Sequence, residues 1–248
     1  MLVIEKILKI KEFMEMTTKE AIMDTLRGIE TISEEQSEQE EARKMAVKHE
    51  QYVNDSISKM PARYRDFCFE DYVFYGTDEQ IKRQQKLIEY LKDGKSLVMY
   101  GNNGTGKTML AFSSMKNQLS LDKTVKYITF MEIMDEVHQY FGTDKAIGEL
   151  VSFYSGFDYL VIDEIDKSYG SKSELINLFR IVNNRYNEET PTVLITNAGQ
   201  VDATDSDGNM RLGVINSIGR SSYERIVEDG TAIYMDWESY RKTHRNVK

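Results

Sequence analysis

Apolar residues open the chain at positions 3, 4, 7, 8, 10 and 14, a helical period. The stretch TTKE at 17–20 has the Thr-x-x-Glu form of a capping box, and SEEQ at 33–36 repeats it with Ser and Gln. Past Ser33 charge dominates to about residue 50, with Ala42, Met45, Ala46 and Val47 the only apolar positions. That predicts an exposed helix or a linker. Residues 1–58 hold no proline, and Gly28 is their one glycine. They read as a small all-helical N-terminal region, a marginal core alone and steadier on a partner.

Pro61 ends that region and the pattern changes. TDEQ at 77–80 is a further capping box, starting a helix to about Leu91 that KDG ends. Apolar runs of strand length follow at 96–100, 124–130, 158–162, 192–196 and 232–235. Helical stretches lie at about 107–120, 131–141, 172–187 and 214–228. This alternation predicts an α/β domain over 59–248, with a five-stranded parallel sheet covered by helices on both faces. One stretch, 198–213, is rich in Gly, Asp, Asn and Ser and reads as a loop.

Charge and cysteine usage narrow the function. A net charge of −9 over 248 residues argues against a broad duplex-binding surface. The densest basic stretch is the C-terminal YRKTHRNVK. A single cysteine, Cys68, precludes an internal disulfide, and its apolar setting FCFE predicts a buried thiol. His49, His138 and His244 are far apart with no clustered cysteines, so no zinc site is expected. No apolar run reaches the ~18–20 residues that cross a bilayer. The first ten residues lack the basic start and small-residue cleavage site of a signal peptide, so no membrane partner and a cytoplasmic location are expected.

The chemistry is concentrated in GNNGTGKT, between a predicted strand and a predicted helix. Gly101, Gly104, Gly106, Lys107 and Thr108 complete the phosphate-loop pattern. Backbone amides of Gly101, Asn102, Asn103, Gly104, Thr105 and Gly106 are expected to wrap the phosphates of ATP, with Met109 beside them. Lys107 reaches the outer phosphates, and the Thr108 hydroxyl ligates Mg²⁺. The strand YLVID ends in Asp163, a second Mg²⁺ ligand, followed by Glu164, placed to orient or deprotonate a water. A whole strand separates the phosphate-loop strand from the Asp163 strand. This resembles the P-loop branch that hydrolyses ATP. The strand TVLIT is followed by Asn197, which resembles the sensor-1 position of AAA+ ATPases.

Residues 219–241 resemble the end of bacterial and phage helicase loaders of the DnaC type. The resemblance rests on Glu224-Arg225 and on Trp237-Glu238-Ser239-Tyr240-Arg241. CFEDYVF ahead of the phosphate loop and TFMEIMDEVHQYF after it resemble the same family, and the likeness covers about 60–248. It implies an AAA+ ATPase that binds a replicative DnaB-type helicase through the helical region 1–58. Such a loader deposits the helicase on single-stranded DNA, and hydrolysis is coupled to assembly and release. Subunits would self-associate with ATP at their interfaces. Arg225 would be the arginine finger, with Arg220 on the same segment as its competitor, and Arg241 the sensor-2 arginine. Phe141, Ser171 and Lys172 resemble the family's strand-binding elements. The loop 198–213 has no obvious counterpart there. Without a cysteine cluster for zinc, the helicase contact would be helical, with the apolar stripe of 2–14 as its candidate. A transposition helper ATPase of the IstB type, which binds duplex DNA and a transposase, shares this core and is the second reading.

Overall fold

The computed structural model describes Met23 and residues 39–139, 144–167, 171–204 and 208–243. The chain divides into two units, Met1–Asp55 and Ser56–Lys248. In the first, residues 39–55 are helical (α1), with Met45 and Val47 exposed. Lys44 pairs with Glu40 one turn away at 3.7 Å, the support a charged surface helix has in place of a core. The apolar stripe of 2–14 and the boxes at 17–20 and 33–36 lie outside the described residues.

The second unit is built on five parallel strands: β1 (Leu97–Gly101), β2 (Val125–Thr129), β3 (Tyr159–Asp163), β4 (Thr192–Thr196) and β7 (Thr231–Met235). Their order is β2-β3-β4-β1-β7. Every residue of β1, β3 and β4 is buried, which is why they read as unbroken apolar runs. Val98, Ile128, Leu160, Ile162 and Leu194 face one layer. That layer holds α5 (Phe130–Gln139), α6 (Asp144–Ser155), α7 (Lys172–Asn187), α8 (Val214–Ile218) and α9 (Arg220–Asp229). On the other face α3 (Asp78–Lys92) and α4 (Lys107–Leu119) pack together, burying Leu87, Leu91, Leu110 and Leu119. A short α2 (Ala62–Arg65) lies against α4, and α10 (Tyr240–Thr243) ends the described chain.

The predicted five-stranded α/β architecture is the observed one. Thr77 caps α3 as its sequence box requires: its hydroxyl accepts the Gln80 N–H, and Gln80 Oε1 accepts the Thr77 N–H at 3.0 Å.

Four features differ from the sequence expectation. Helix α6 was not among the predicted helices. Gly148 interrupts its pattern, and its buried Leu150 and Tyr154 gain their setting from α7. The helix predicted over 214–228 is two, because Gly219 adopts φ +79° between α8 and α9. The predicted loop carries a small antiparallel pair, β5 (Ala203–Thr204) and β6 (Met210–Arg211). Cys68, expected to be buried, is exposed. It opens a 3₁₀ turn, Phe69–Asp71, in which the Asp71 carboxylate accepts the Cys68 N–H at 2.7 Å and Phe69 takes the buried position.

Arg185 is a buried clamp at the start of the sheet. Its guanidinium donates to the carbonyls of Tyr154, Ser155, Phe157 and Pro191 and to Thr192 Oγ1. Burial lowers its pKa to about 10, still far above neutrality. Among the described residues no helix is long and apolar enough to cross a membrane.

Candidate nucleotide-binding site

Because β4 lies between β1 and β3, three strand ends converge at one edge of the sheet. β1 delivers the phosphate loop, β3 delivers Asp163 and Glu164, and β4 delivers Asn197 between them. A cleft of about 690 Å³ opens there, large enough for a nucleotide. Asn103, Gly104, Thr105, Gly106, Lys107, Thr108 and Met109 line its floor, and Asp163, Glu164, Asn197 and Arg241 also face it.

The loop needs its glycines for space and for backbone conformation. Gly104 has φ +78°, and a Cβ there would collide with Ser239 Oγ. Gly106, the N-cap of α4, has φ +97°, and a Cβ there would press on the Tyr72 ring at 3.2 Å. The first amides of α4 have no partner inside the helix, so they suit an anion. Gly101 and Asn102 do not line the cleft. Their carbonyls accept the Lys107 ammonium at 2.9 and 2.7 Å, and the Asn102 amide donates to Asp236 and Trp237.

Lys107 is buried, and that burial lowers its pKa to about 8 against the opposing pull of Asp163 and Asp166. The Thr108 hydroxyl donates to Asp163 Oδ2 at 2.8 Å. Asp163 Oδ1 accepts the Glu164 N–H at 2.6 Å. Burial pushes the Asp163 carboxyl above the usual carboxylate range, despite donors from Thr108, Glu164 and Tyr127 and the Lys107 charge. A hydroxyl beside a buried carboxylate presents the oxygen donors that a hard divalent cation takes, so this donor set suits Mg²⁺. Glu164 itself is exposed on the cleft wall with φ +56°, a left-handed backbone that a non-glycine residue seldom adopts.

A strap at the end of the chain holds the loop from outside. Trp237 is fully buried and its indole N–H donates to Thr105 O at 3.1 Å. The Tyr240 N–H donates to Gly104 O, and the Asn102 N–H to Met235 O. Asp236 pairs with Arg83 of α3 at 2.9 Å, which fixes the strap. Sequence reasoning named the strap only as a family mark and took Arg241 alone from it. Four residues near the cleft were not among those expected from the sequence. Asp166 anchors Asn197, Tyr127 donates to Asp163, and Tyr72 and Tyr75 line the wall. The third carboxylate of DEID was the one visible signal for Asp166.

Other predicted residues lie elsewhere. Arg225 does not reach this cleft. Its guanidinium lies over the Tyr186 ring at 4.5 Å and 3.9 Å from Glu228. It lines a second cavity with Lys95, Ser96 and Thr192, where β1 and β4 begin. Arg220 is exposed on the same helix, paired with Glu224 at 3.8 Å. Ser171 caps α7: its hydroxyl accepts the Glu174 N–H, and its own N–H donates to Glu174 Oε2. Lys172 is exposed beside it. Phe141 lies outside the described residues.

A profile of the IstB-like ATP binding proteins matches residues 4–247. The chain belongs to that family. This IstB-like chain is 31% identical over 168 residues to the replicative helicase loader DnaC of Escherichia coli K12. The match covers 64% of this chain and 62% of that protein's length. A chromosomal replication initiator, DnaA of Mycoplasma genitalium, is 24% identical over 170 residues, 66% of this chain and 39% of that protein. A crystal structure of a DnaC helicase loader superposes with TM-score 0.53 at 18% identity, over 70% of this chain and 99% of that one. AMPPCP-bound DnaA from Aquifex aeolicus gives 0.53 at 18% identity, over 71% and 52%. The fold is therefore the AAA+ P-loop fold of these replication proteins.

Proposed function

We propose that this IstB-like protein is a Mg²⁺-dependent ATPase that loads a replicative DnaB-type helicase onto single-stranded DNA in the bacterial cytoplasm. The observation that carries the reading is the likeness to DnaC, 31% identity over 64% of this chain.

In this reading the amides of the phosphate loop and α4 bind the triphosphate, and Lys107 turns from the loop carbonyls onto it. Thr108 and Asp163 would hold magnesium, which supplies positive charge against the phosphates. Glu164 takes the proton of the attacking water, and Asn197 orients that water. Arg225 serves a neighbouring subunit, since it lies away from its own phosphate loop and close to the opposite end of the sheet. Arg241, on the cleft wall, contacts the nucleotide. The helical region 1–58 grips the helicase, residues 59–248 assemble side by side, and Ser171, Lys172 and Phe141 contact the strand.

The test is a pull-down of the cognate helicase by the full-length protein with and without ATP, followed by transfer of that helicase to a single-stranded circle. Absence of any complex in both conditions removes the reading. The family profile spans nearly the whole chain, which favours a second reading as an IstB-type transposition helper. That protein would retain duplex DNA in a gel shift, whereas the loader prefers single strand.

A further inference from the structure

Asp163 is held by three donors, from α4, from β2 and from the residue that follows it, and one of them has no place in the phosphate-loop pattern. The Tyr127 hydroxyl donates to Asp163 Oδ2 at 3.0 Å, the same oxygen that accepts the Thr108 hydroxyl. The other oxygen is occupied by the Glu164 N–H. With both oxygens fixed, the carboxylate cannot turn about its last torsion.

The contact is built into the sheet. β2 and β3 pair with Tyr127 opposite Val161 and Thr129 opposite Asp163. Side chains alternate along a strand, so Tyr127, Val161 and Asp163 share the face that α4 covers. The Tyr127 ring spans the remaining two-residue offset. Its ring stacks on Phe112 of α4 at 4.5 Å, and Phe112 stacks on Tyr64 of α2 at 4.9 Å. Packing thus sets the ring, and the ring sets where the hydroxyl lies. A phenylalanine would stack equally well. What the hydroxyl adds is a polar bond to the carboxylate, not more core.

We propose that Tyr127 is a positioning residue that fixes the Asp163 carboxylate for the divalent cation of the ATP site. The inference rests on the ATPase reading above and adds a residue of β2 to the machinery. Outer partners of this kind are worth roughly 10–100-fold in metal affinity where they orient a ligand.

The experiment compares full-length wild type with Tyr127→Phe, using Mn²⁺ as the probe. Two quantities are read: ATP affinity in EDTA, and Mn²⁺ half-saturation of the ATP-loaded protein by electron paramagnetic resonance. The expected result is ATP affinity in EDTA equal to wild type, with Mn²⁺ binding weakened about 10-fold. Unchanged Mn²⁺ binding overturns the proposal. So does a parallel loss of both affinities, which is the mark of a packing role alone. Failure of the ATPase reading itself looks different: the wild-type protein would bind no ATP in either condition.

Discussion

Asp166 holds Asn197 by both its backbone and its side chain. Oδ1 of Asp166 accepts the Asn197 N–H at 2.7 Å and the Asn197 Nδ2 at 3.2 Å. The Thr196 hydroxyl adds a third, longer bond at 3.3 Å. The tips of β3 and β4 are thereby joined, and the Asn197 amide has its nitrogen turned to the carboxylate. Its oxygen is then the group suited to face the cleft, where it can accept from a water. Asp166→Ala should release that orientation. The expected outcome is turnover reduced roughly 10- to 100-fold by misplacement of the water, with ATP affinity unchanged. Steady-state hydrolysis with helicase and single-stranded DNA present, beside an equilibrium ATP titration, checks it. Wild-type turnover in this variant would remove Asp166 from the site.

Glu164 combines strain with an exposed carboxylate. A non-glycine residue at φ +56° costs on the order of 1–2 kcal/mol, so the position trades stability for the aim of its side chain. Two substitutions separate the effects. Glu164→Gln keeps shape and backbone, so it should bind ATP normally and lose about 10²–10⁴-fold in turnover. Glu164→Gly should lose the same activity and melt higher by about 2–4 °C per kcal/mol of strain relieved. A melting point for the glycine variant at or below wild type contradicts the strain assignment.

Much of this was legible in the chain because it is local. β1, β3 and β4 are buried throughout, so their apolar runs stand out without knowledge of their neighbours. The phosphate loop and the Thr77–Gln80 cap each fit within eight residues or fewer. The groups that refine the site are not local. Asp166 and Asn197 lie 31 positions apart, Tyr127 and Asp163 36, and Trp237 and Thr105 132. The pairing of β2 with β3, the place of β4 between β3 and β1, and the return of the chain through β7 bring them together. Cys68 fails for a related reason. In FCFE the buried position is decided by a 3₁₀ turn, and local hydrophobicity does not reveal its phase.

In the proposed reading Lys107 would link nucleotide binding to pH. Its pKa is near 8 in the folded protein against an ordinary 10.5, with burial as the cause. The unfolded chain binds more protons than the folded one between those values, so this group's contribution to stability rises with pH across that window. Below about 8 its buried charge is carried in full. A triphosphate favours the ammonium, so ATP binding near and above pH 8 should take up part of a proton and weaken as pH rises further. Titration calorimetry at pH 8.5 in two buffers of different ionisation enthalpy measures that uptake. Identical apparent enthalpies in the two buffers would show that no proton moves. Lys107→Ala should abolish ATP binding outright.

Arg225 offers the sharpest test of assembly. It lies on Tyr186, and its own cleft is built without it. If it acts on a neighbour, Arg225→Ala should bind ATP as wild type does and lose about 10³-fold or more in hydrolysis. Lys107→Ala should be equally inactive because it binds no ATP. Mixing the two proteins creates interfaces in which an intact phosphate loop from the Arg225→Ala chain meets an intact arginine from the Lys107→Ala chain. Hydrolysis should therefore reappear in the mixture and peak near equal proportions. Activity that stays at the sum of the two separate variants at every ratio would mean that Arg225 serves no neighbouring site, and Arg220 would then be the residue to exchange by the same design.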